Sequence, residues 1–193
     1  MKVKYYEEIK PEDMADDPAH YAERNGLINE HNDPLVRRKI GVWRWVQFQR
    51  HRARILELVV DKYVIDLGGA AGPLGYGSVV VDYWSEHRGL WDVPPNADVV
   101  FASHVLEHFV DVDSAVAGIF HKLKPGGHLI AMVPTWHKEN LQAQNWPWHE
   151  QTFKHSTEVG EWTAFDKLLG GHGFELELLE IVEQCFVCIA RKP

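Results

Sequence analysis

Asp66-Leu67-Gly68-Gly69-Ala70-Ala71-Gly72 follows a short apolar run, Tyr63-Val64-Ile65, so an extended segment ends in an acid and then in glycines. Glycines at that place let the backbone turn sharply and approach a ligand where a Cβ would collide. Taken alone such a turn is a weak signal, because glycine-rich loops occur in many folds. Its weight comes from its neighbours. Ser78-Val-Val-Val-Asp82 is a second strand ending in an acid, Asp98-Val-Val-Phe-Ala102 a third, and His128-Leu-Ile-Ala-Met-Val133 a fourth. Continuous β-branched runs of this kind suit strands buried on both faces, as in a parallel sheet.

Helical segments separate some of these strands. Asp111 or Asp113 can cap a helix running through Leu123, which Pro125-Gly126-Gly127 ends, and a later helix from Glu161 to Leu169 stops at Gly170-Gly171. Phe174 to Glu183 and Cys185 to Arg191 are close enough in sequence to form an antiparallel pair. The expectation is an α/β fold: a Rossmann-like, mostly parallel sheet with an antiparallel C-terminal hairpin. Its first crossover must be shortened. Asp66 and Val79 are separated by a stretch containing Gly72, Pro73, Gly75 and Gly77, and a parallel crossover ordinarily needs roughly a dozen residues or more. Asp82 to Asp98 is also short, so the next helix and the next strand must be trimmed.

Upstream, residues 1 to 33 are polar, with Pro11, Pro18 and Gly26, and read as loops and short helices. Asp33-Pro34 is a helix start. From Leu35 to Val59 the pattern is helical, with a break expected at Gly41. Val36, Ile40 and Trp43 share one face, while Trp45, Phe48, Ile55 and Val59 suggest a second buried region. The expected division is an N-terminal helical extension or lid over 1–60 and a cofactor-binding domain over 61–193.

The 193 residues, 45% hydrophobic and 25% charged, suit one soluble domain. No apolar run approaches the roughly 20 residues of a membrane span, and Met1 to Lys10 carries no apolar signal region, so no membrane association is expected and a cytoplasmic location is. The net charge of −8 disfavours nucleic acid as a general partner without excluding it. Bases cluster from Arg37 to Arg54, after an acid-rich Glu7 to Asp33. That cluster is either an anion-facing surface or a solvated helix face, and charge runs usually mean the second. Cys185 and Cys188 form a Cys-x-x-Cys, but on a strand an offset of three puts the thiols on opposite faces. No second pair completes a zinc site, and a reducing compartment is the simple inference.

Four segments in order resemble class I S-adenosylmethionine-dependent methyltransferases, in a compact variant similar to small enzymes associated with sugar and polysaccharide modification. Asp66 to Gly72 looks like their first motif, and Asp82 matches their ribose-binding acid. Asp98 to His108 looks like their fourth-strand motif. Leu123-Lys-Pro-Gly-Gly-His-Leu-Ile130 is similar to their turn into the fifth strand. The resemblance implies S-adenosylmethionine as cofactor. Asp66, Gly68, Gly69, Ala70 and Gly72 would hold its methionine part and Asp82 its ribose, while Tyr83 and Trp84 would flank the adenine. Ser103 and His104 would border it at the next strand end. Asp92, in Leu90-Trp-Asp-Val-Pro94, lies where the family places its adenine-amine contact, although a tight turn explains it equally.

Methyl transfer requires in-line placement of a nucleophile, and an alcohol also benefits from a base. His104 stands at the end of a strand beside the expected methyl position, and its neutral pKa suits a base. Glu107 and His108 follow at helical spacing and would share its face. The set is also similar to the Glu-x-x-Glu-His motif of metal-assisted O-methyltransferases. Histidine in place of the first glutamate weakens that match for a hard cation, so no metal is assigned. A structural role for Glu107 and His108 also stays open. The irregular, aromatic stretch from Pro134 to His155 could cover the substrate. His155 joins His104, Glu107 and His108 as a candidate catalytic residue.

The expected function is methyl transfer from S-adenosylmethionine to an oxygen, less readily a nitrogen, of a small or glycan-type acceptor. Metal-assisted RNA ribose methylation and a non-catalytic cofactor-binding scaffold are the alternatives.

Overall fold

The computed structural model describes residues 46–69, 73–82, 85–135, 153–154, 163–182 and 185–193. Two helices come first, α1 (Val46–Arg50) and α2 (Arg52–Val59), then β1 (Val64–Leu67) and β2 (Val79–Val81). A 3-10 turn (Leu90–Asp92) leads into β3 (Ala97–Ser103), and a second (Leu106–His108) follows it. Next are α3 (Val112–Lys122), β4 (Leu123–Pro134), β5 (Phe153–Lys154), β6 (Thr163–Ala164), α4 (Phe165–Gly171), β7 (Glu175–Val182) and β8 (Cys185–Arg191).

Six strands form one sheet in the order β2-β1-β3-β4-β8-β7. The β2-β1, β1-β3 and β3-β4 pairs are parallel, and β8 runs antiparallel to both β4 and β7. This is the expected architecture, with a mostly parallel sheet closed by an antiparallel hairpin.

The continuous apolar runs of β1, β3 and β4 have the burial they predicted, whereas Val79 and Val80 of β2, at the sheet edge, are only partly buried. All four residues of β1 are buried, and so are the six register pairs from Leu129–Ala190 to Pro134–Cys185 where β4 meets β8. Alternation sends them to two sides. Ile65, Leu67, Val100, Ala102, Leu129 and Ala131 pack under α3 and α4 through Val116, Ile119, Phe165 and Leu169. Val64, Val99, Phe101, Ile130 and Met132 face α1 and α2 through Phe48, Ile55 and Val59. Phe48 lies 4.9 Å, ring centre to ring centre, from Phe101, and full burial of such a side chain stabilises by about 1.5–3 kcal/mol. The described part of the 1–60 segment therefore supplies core beneath one face of the sheet.

The abbreviated crossover is visible on that face. Leu74, in the link between β1 and β2, is buried with Phe48, Ile55 and Val59, and so fills space that a crossover helix would otherwise cover. At the β2 edge the next strand is reduced, among the described residues, to a single parallel bridge between Val81 and His87.

Helix boundaries differ from the sequence expectation for local reasons. Asp111, not Asp113, caps α3, its side chain accepting from Ser114 N–H at 3.0 Å. α3 stops at Lys122, and the ammonium of Lys192 donates to the carbonyls of Phe120 and Leu123 at 2.8 and 2.7 Å. A cation at a helix C-terminus satisfies carbonyls that have no partner within the helix. The helix expected from Glu161 begins only at Phe165, because Thr163–Ala164 pair with Phe153–Lys154. The break expected at Gly41 lies outside the described residues, and an interruption occurs at His51, whose imidazole pairs with Glu180 at 2.7 Å. Arg50 and Arg54 pair with Glu180 and Glu177 of β7, so this part of the basic cluster faces carboxylates of the same chain.

No helix among the described residues is long and apolar enough to cross a membrane.

Candidate functional site

Of the predicted residues, Asp66, Gly68, Gly69, Asp82, Ser103 and His104 lie at the carboxyl ends of β1, β2 and β3. Asp66 closes β1 with its side chain on the α1/α2 face. It is 1% exposed, and its Oδ2 accepts the Leu74 N–H at 2.7 Å. Its Oδ1 has no hydrogen-bond partner among the described residues. Burial pushes this carboxyl up to about 7; the Leu74 N–H opposes that shift, and the nearby negative charge of Asp82 adds to it. A buried carboxylate with one unused oxygen is an incomplete arrangement that a positively charged ligand group would complete.

The glycines above it explain the turn. Gly68 has φ +78° and donates its N–H to Val81 O at 2.8 Å, tying the end of β1 to the end of β2. A Cβ there would lie 2.8 Å from Val105 Cβ. A side chain on Gly69 would run into the Asp66 carboxylate, reaching 2.7 Å from Oδ1. The missing side chain at Gly69 lets the turn lie directly against the carboxylate. Gly68→Ala combines left-handed strain with this clash. It is expected to lower stability by about 1–3 kcal/mol, read as a drop of roughly 2–10 °C in thermal unfolding. An unchanged melting temperature would mean that Val105 moves aside freely.

Asp82 follows β2. Its backbone N–H reaches His87 O at 2.9 Å and Ser85 Oγ at 3.1 Å, which fixes the strand end where its carboxylate sits. Asp92 lies on the 3-10 turn before β3. Its Oδ2 accepts the N–H groups of Arg88 and Gly89 at 2.8 and 3.1 Å, so that oxygen is engaged in closing the turn. Trp91 beside it is 80% exposed. Ala70, Gly72, Tyr83, Trp84 and His155 lie outside the described residues, as does most of the aromatic stretch between Pro134 and His155.

At the end of β3, Ser103 is followed by His104, which adopts φ +51° with its N–H bonded to Met132 O at 2.9 Å. A non-glycine residue in the left-handed region is uncommon and tends to be held by its surroundings. Here the turn aims the imidazole at two partners. Nδ1 lies 3.1 Å from Glu107 Oε1, and Nε2 lies 4.0 Å from Cys185 Sγ. Glu107 is fully buried in the Leu106–His108 turn, and its Oε2 has no hydrogen-bond partner among the described residues. The expected meeting of His104 with Glu107 is present, on a 3-10 turn rather than an α-helix. His108 is half-buried, and its charge acts on Glu107.

The electrostatics follow from this cluster. Burial disfavours a charged imidazole, but the Cys185 and Glu107 contacts and the Glu107 charge outweigh it and hold His104 up to about 10. Burial likewise opposes the Glu107 carboxylate, and the hydrogen bond and charge of His104 outweigh it, holding the carboxyl below its usual range. The two are a buried ion pair whose members stabilise each other's charge.

Cys185 was not among the candidate site residues. It lies at the start of β8, in register with Pro134 at the carboxyl end of β4. The signal for it was the Cys-x-x-Cys spacing. The two cysteines do point to opposite faces: Cys188 packs with Ile65 and Leu129, and Cys185 with Phe101 and Met132. Both are free thiols. Among the described residues no group of three or more histidine, cysteine or acidic side chains is arranged to hold a metal ion.

Comparison with known proteins agrees with this geometry. A family model described as a methyltransferase domain matches residues 40–179. No curated protein matches the chain. Among solved structures, a candidate methyltransferase from Bacillus halodurans C-125 is 17% identical, with a TM-score of 0.54 over 73% of this chain and 96% of its own. An S-adenosylmethionine-dependent methyltransferase from Mesorhizobium loti is 15% identical, with a TM-score of 0.53 over 76% and 98%. A candidate methyltransferase of Haloferax volcanii, in complex with the Trm112 activator, is 12% identical, with a TM-score of 0.56 over 78% and 91%. At these identities the likeness is one of fold.

Proposed function

Because this chain belongs to the methyltransferase domain family, we propose that it transfers a methyl group from S-adenosylmethionine to an oxygen of a small or glycan-type acceptor. S-adenosylmethionine supplies a sulfonium-bound methyl group that is already activated. The chain's own residues have to hold the donor, exclude water and manage the acceptor's proton.

One observation carries the donor side: the buried Asp66 carboxylate, with an unused oxygen against a turn whose Gly69 leaves no side chain over it. The cationic amino acid end of the donor is the natural complement to that oxygen. Asp82, at the adjacent strand end, is proposed for the ribose hydroxyls. On the acceptor side, His104 is the proposed proton acceptor and Glu107 the residue that positions its ring. Both stand at the end of β3, next to the donor strands, as in-line transfer requires. The compact variant acting on sugars, and the division into an N-terminal helical extension or lid over 1–60 and an S-adenosylmethionine-binding methyltransferase domain over 61–193, belong to the same proposal.

Calorimetric titration with S-adenosylmethionine tests the donor side. The parent protein should bind, and Asp82→Ala should weaken binding by about tenfold or more, the loss expected from one or two charge-assisted hydrogen bonds. No binding by the parent protein overturns the reading. A screen of hydroxylated acceptors with isotopically labelled methyl donor then tests transfer. Binding without transfer to any acceptor would favour a non-catalytic scaffold.

A further inference from the structure

Cys185, His104 and Glu107 form a line that methyl transfer does not require: Sγ to Nε2 at 4.0 Å, then Nδ1 to Oε1 at 3.1 Å. A thiol, an imidazole and a buried carboxylate in that order are the parts of an activated sulfur nucleophile, in which the base is itself oriented by a third group. We propose that Cys185 is a reactive thiol, and that its oxidation by hydrogen peroxide or alkylation by a soft electrophile is a modification site of this protein.

Three observations support it. Glu107 is completely buried and its second oxygen has no hydrogen-bond partner among the described residues, so its charge is balanced mainly through the imidazole. His104 holds an uncommon left-handed backbone that points its ring to both neighbours. Cys185 is buried but borders the surface, since 9% of the residue and 26% of the His104 side chain remain exposed at the carboxyl end of the sheet. Cys188 differs in every respect. It is fully buried on the other face, and burial pushes its thiol up to about 12.

In the oxidation step the Nε2–H of the His104 imidazolium, held by Glu107 at Nδ1, favours the Cys185 thiolate, and the thiol proton passes to solvent, from which Nε2 is reprotonated after the transfer. The sulfur attacks one peroxide oxygen and the O–O bond breaks. The leaving hydroxide takes the proton from Nε2 and departs as water. Sulfur is oxidised to a sulfenic acid and peroxide is reduced. Because Cys188 faces away, the sulfenic acid has no resolving partner within the strand.

The test is labelling of the full chain with iodoacetamide and, after peroxide, with dimedone, read at each cysteine by peptide mass spectrometry. Cys185 should be alkylated at least tenfold faster than Cys188 at pH 7. Between pH 8.5 and 6 its rate should fall less than tenfold, whereas an ordinary thiol loses roughly 100-fold. The titratable groups next to Cys185 are His104 and, behind it, Glu107 with His108 beside it. His104→Asn should slow Cys185 at least tenfold and restore the ordinary pH profile, and Glu107→Gln should do so in part. Equal rates at the two cysteines, or an ordinary pH profile in the unsubstituted protein, would overturn the proposal whether or not either variant folds.

Discussion

Asp66→Asn is expected to raise the melting temperature of the ligand-free protein at pH 8 while weakening S-adenosylmethionine binding by tenfold to 100-fold. The stability half follows from linkage. The Asp66 carboxyl is raised from 3.8 to about 7 by burial first, and further by Asp82. An acid raised in the folded state binds its proton more tightly there than in the unfolded chain. Its contribution is most favourable below pH 3.8 and is lost as pH rises through about 7. Three units at about 1.4 kcal/mol each make the ionised carboxylate a penalty of roughly 4 kcal/mol at pH 8. Asparagine removes that charge and can still accept the Leu74 N–H. Its buried NH2 group returns about 1–3 kcal/mol of the gain.

The net increase is therefore about 1–3 kcal/mol, or roughly 2–10 °C at this chain length. The gap should narrow as pH is lowered from 7 toward 4. The binding half has the opposite sign, because a carboxylate kept short of partners is what a cationic donor can use. Binding should also release part of a proton near pH 7, measurable by calorimetry in two buffers of different ionisation enthalpy. A lower melting temperature at pH 8 with no pH dependence would show that the Leu74 bond outweighs the desolvation of Asp66.

The same residue shows why part of this site was readable from sequence. Asp66, Asp82 and His104 are each the acid or histidine that ends an apolar run, and in a parallel sheet such ends converge on one side. The mostly parallel sheet and the closing hairpin follow from where β-branched runs and short links fall. The role of Leu74 was not legible, since a single leucine in a glycine-rich link has no periodicity to show which face it covers. Cys185 was missed for a related reason. Alternation correctly separated it from Cys188, but only the β4-β8 register, Pro134 against Cys185, brings it next to His104. Pairing register is a property of two distant segments, and neither carries it alone. The start of α4 was misplaced for the same cause, because Thr163–Ala164 are held by a partner strand near residue 153.

Methyl transfer is expected to rise about tenfold per pH unit from pH 7 to 9 if His104 is the base, and Glu107→Gln should abolish that rise. The ion pair with Glu107 holds the imidazole up to about 10. A base must be unprotonated, so only about one molecule in a thousand is competent at pH 7. Stability runs the other way. A histidine raised in the folded state contributes fully below its ordinary value of 6.5, and the contribution is lost as pH rises through about 10. The pair therefore stabilises the resting fold in the pH range where it restrains the base.

Glutamine at 107 keeps an oxygen for Nδ1 but removes the charge, leaving burial to lower the imidazole pKa. The variant should lose about 3–5 kcal/mol of stability at pH 7, as when one partner of a buried pair is removed. Its rate should already be near its own plateau at that pH. NMR titration of the His104 ring protons reads the shift directly, without an acceptor. A parent titration near 6.5 would overturn the raised imidazole and with it the rise from pH 7 to 9, whereas a rate that follows a pKa other than that of the His104 ring would remove His104 as the base.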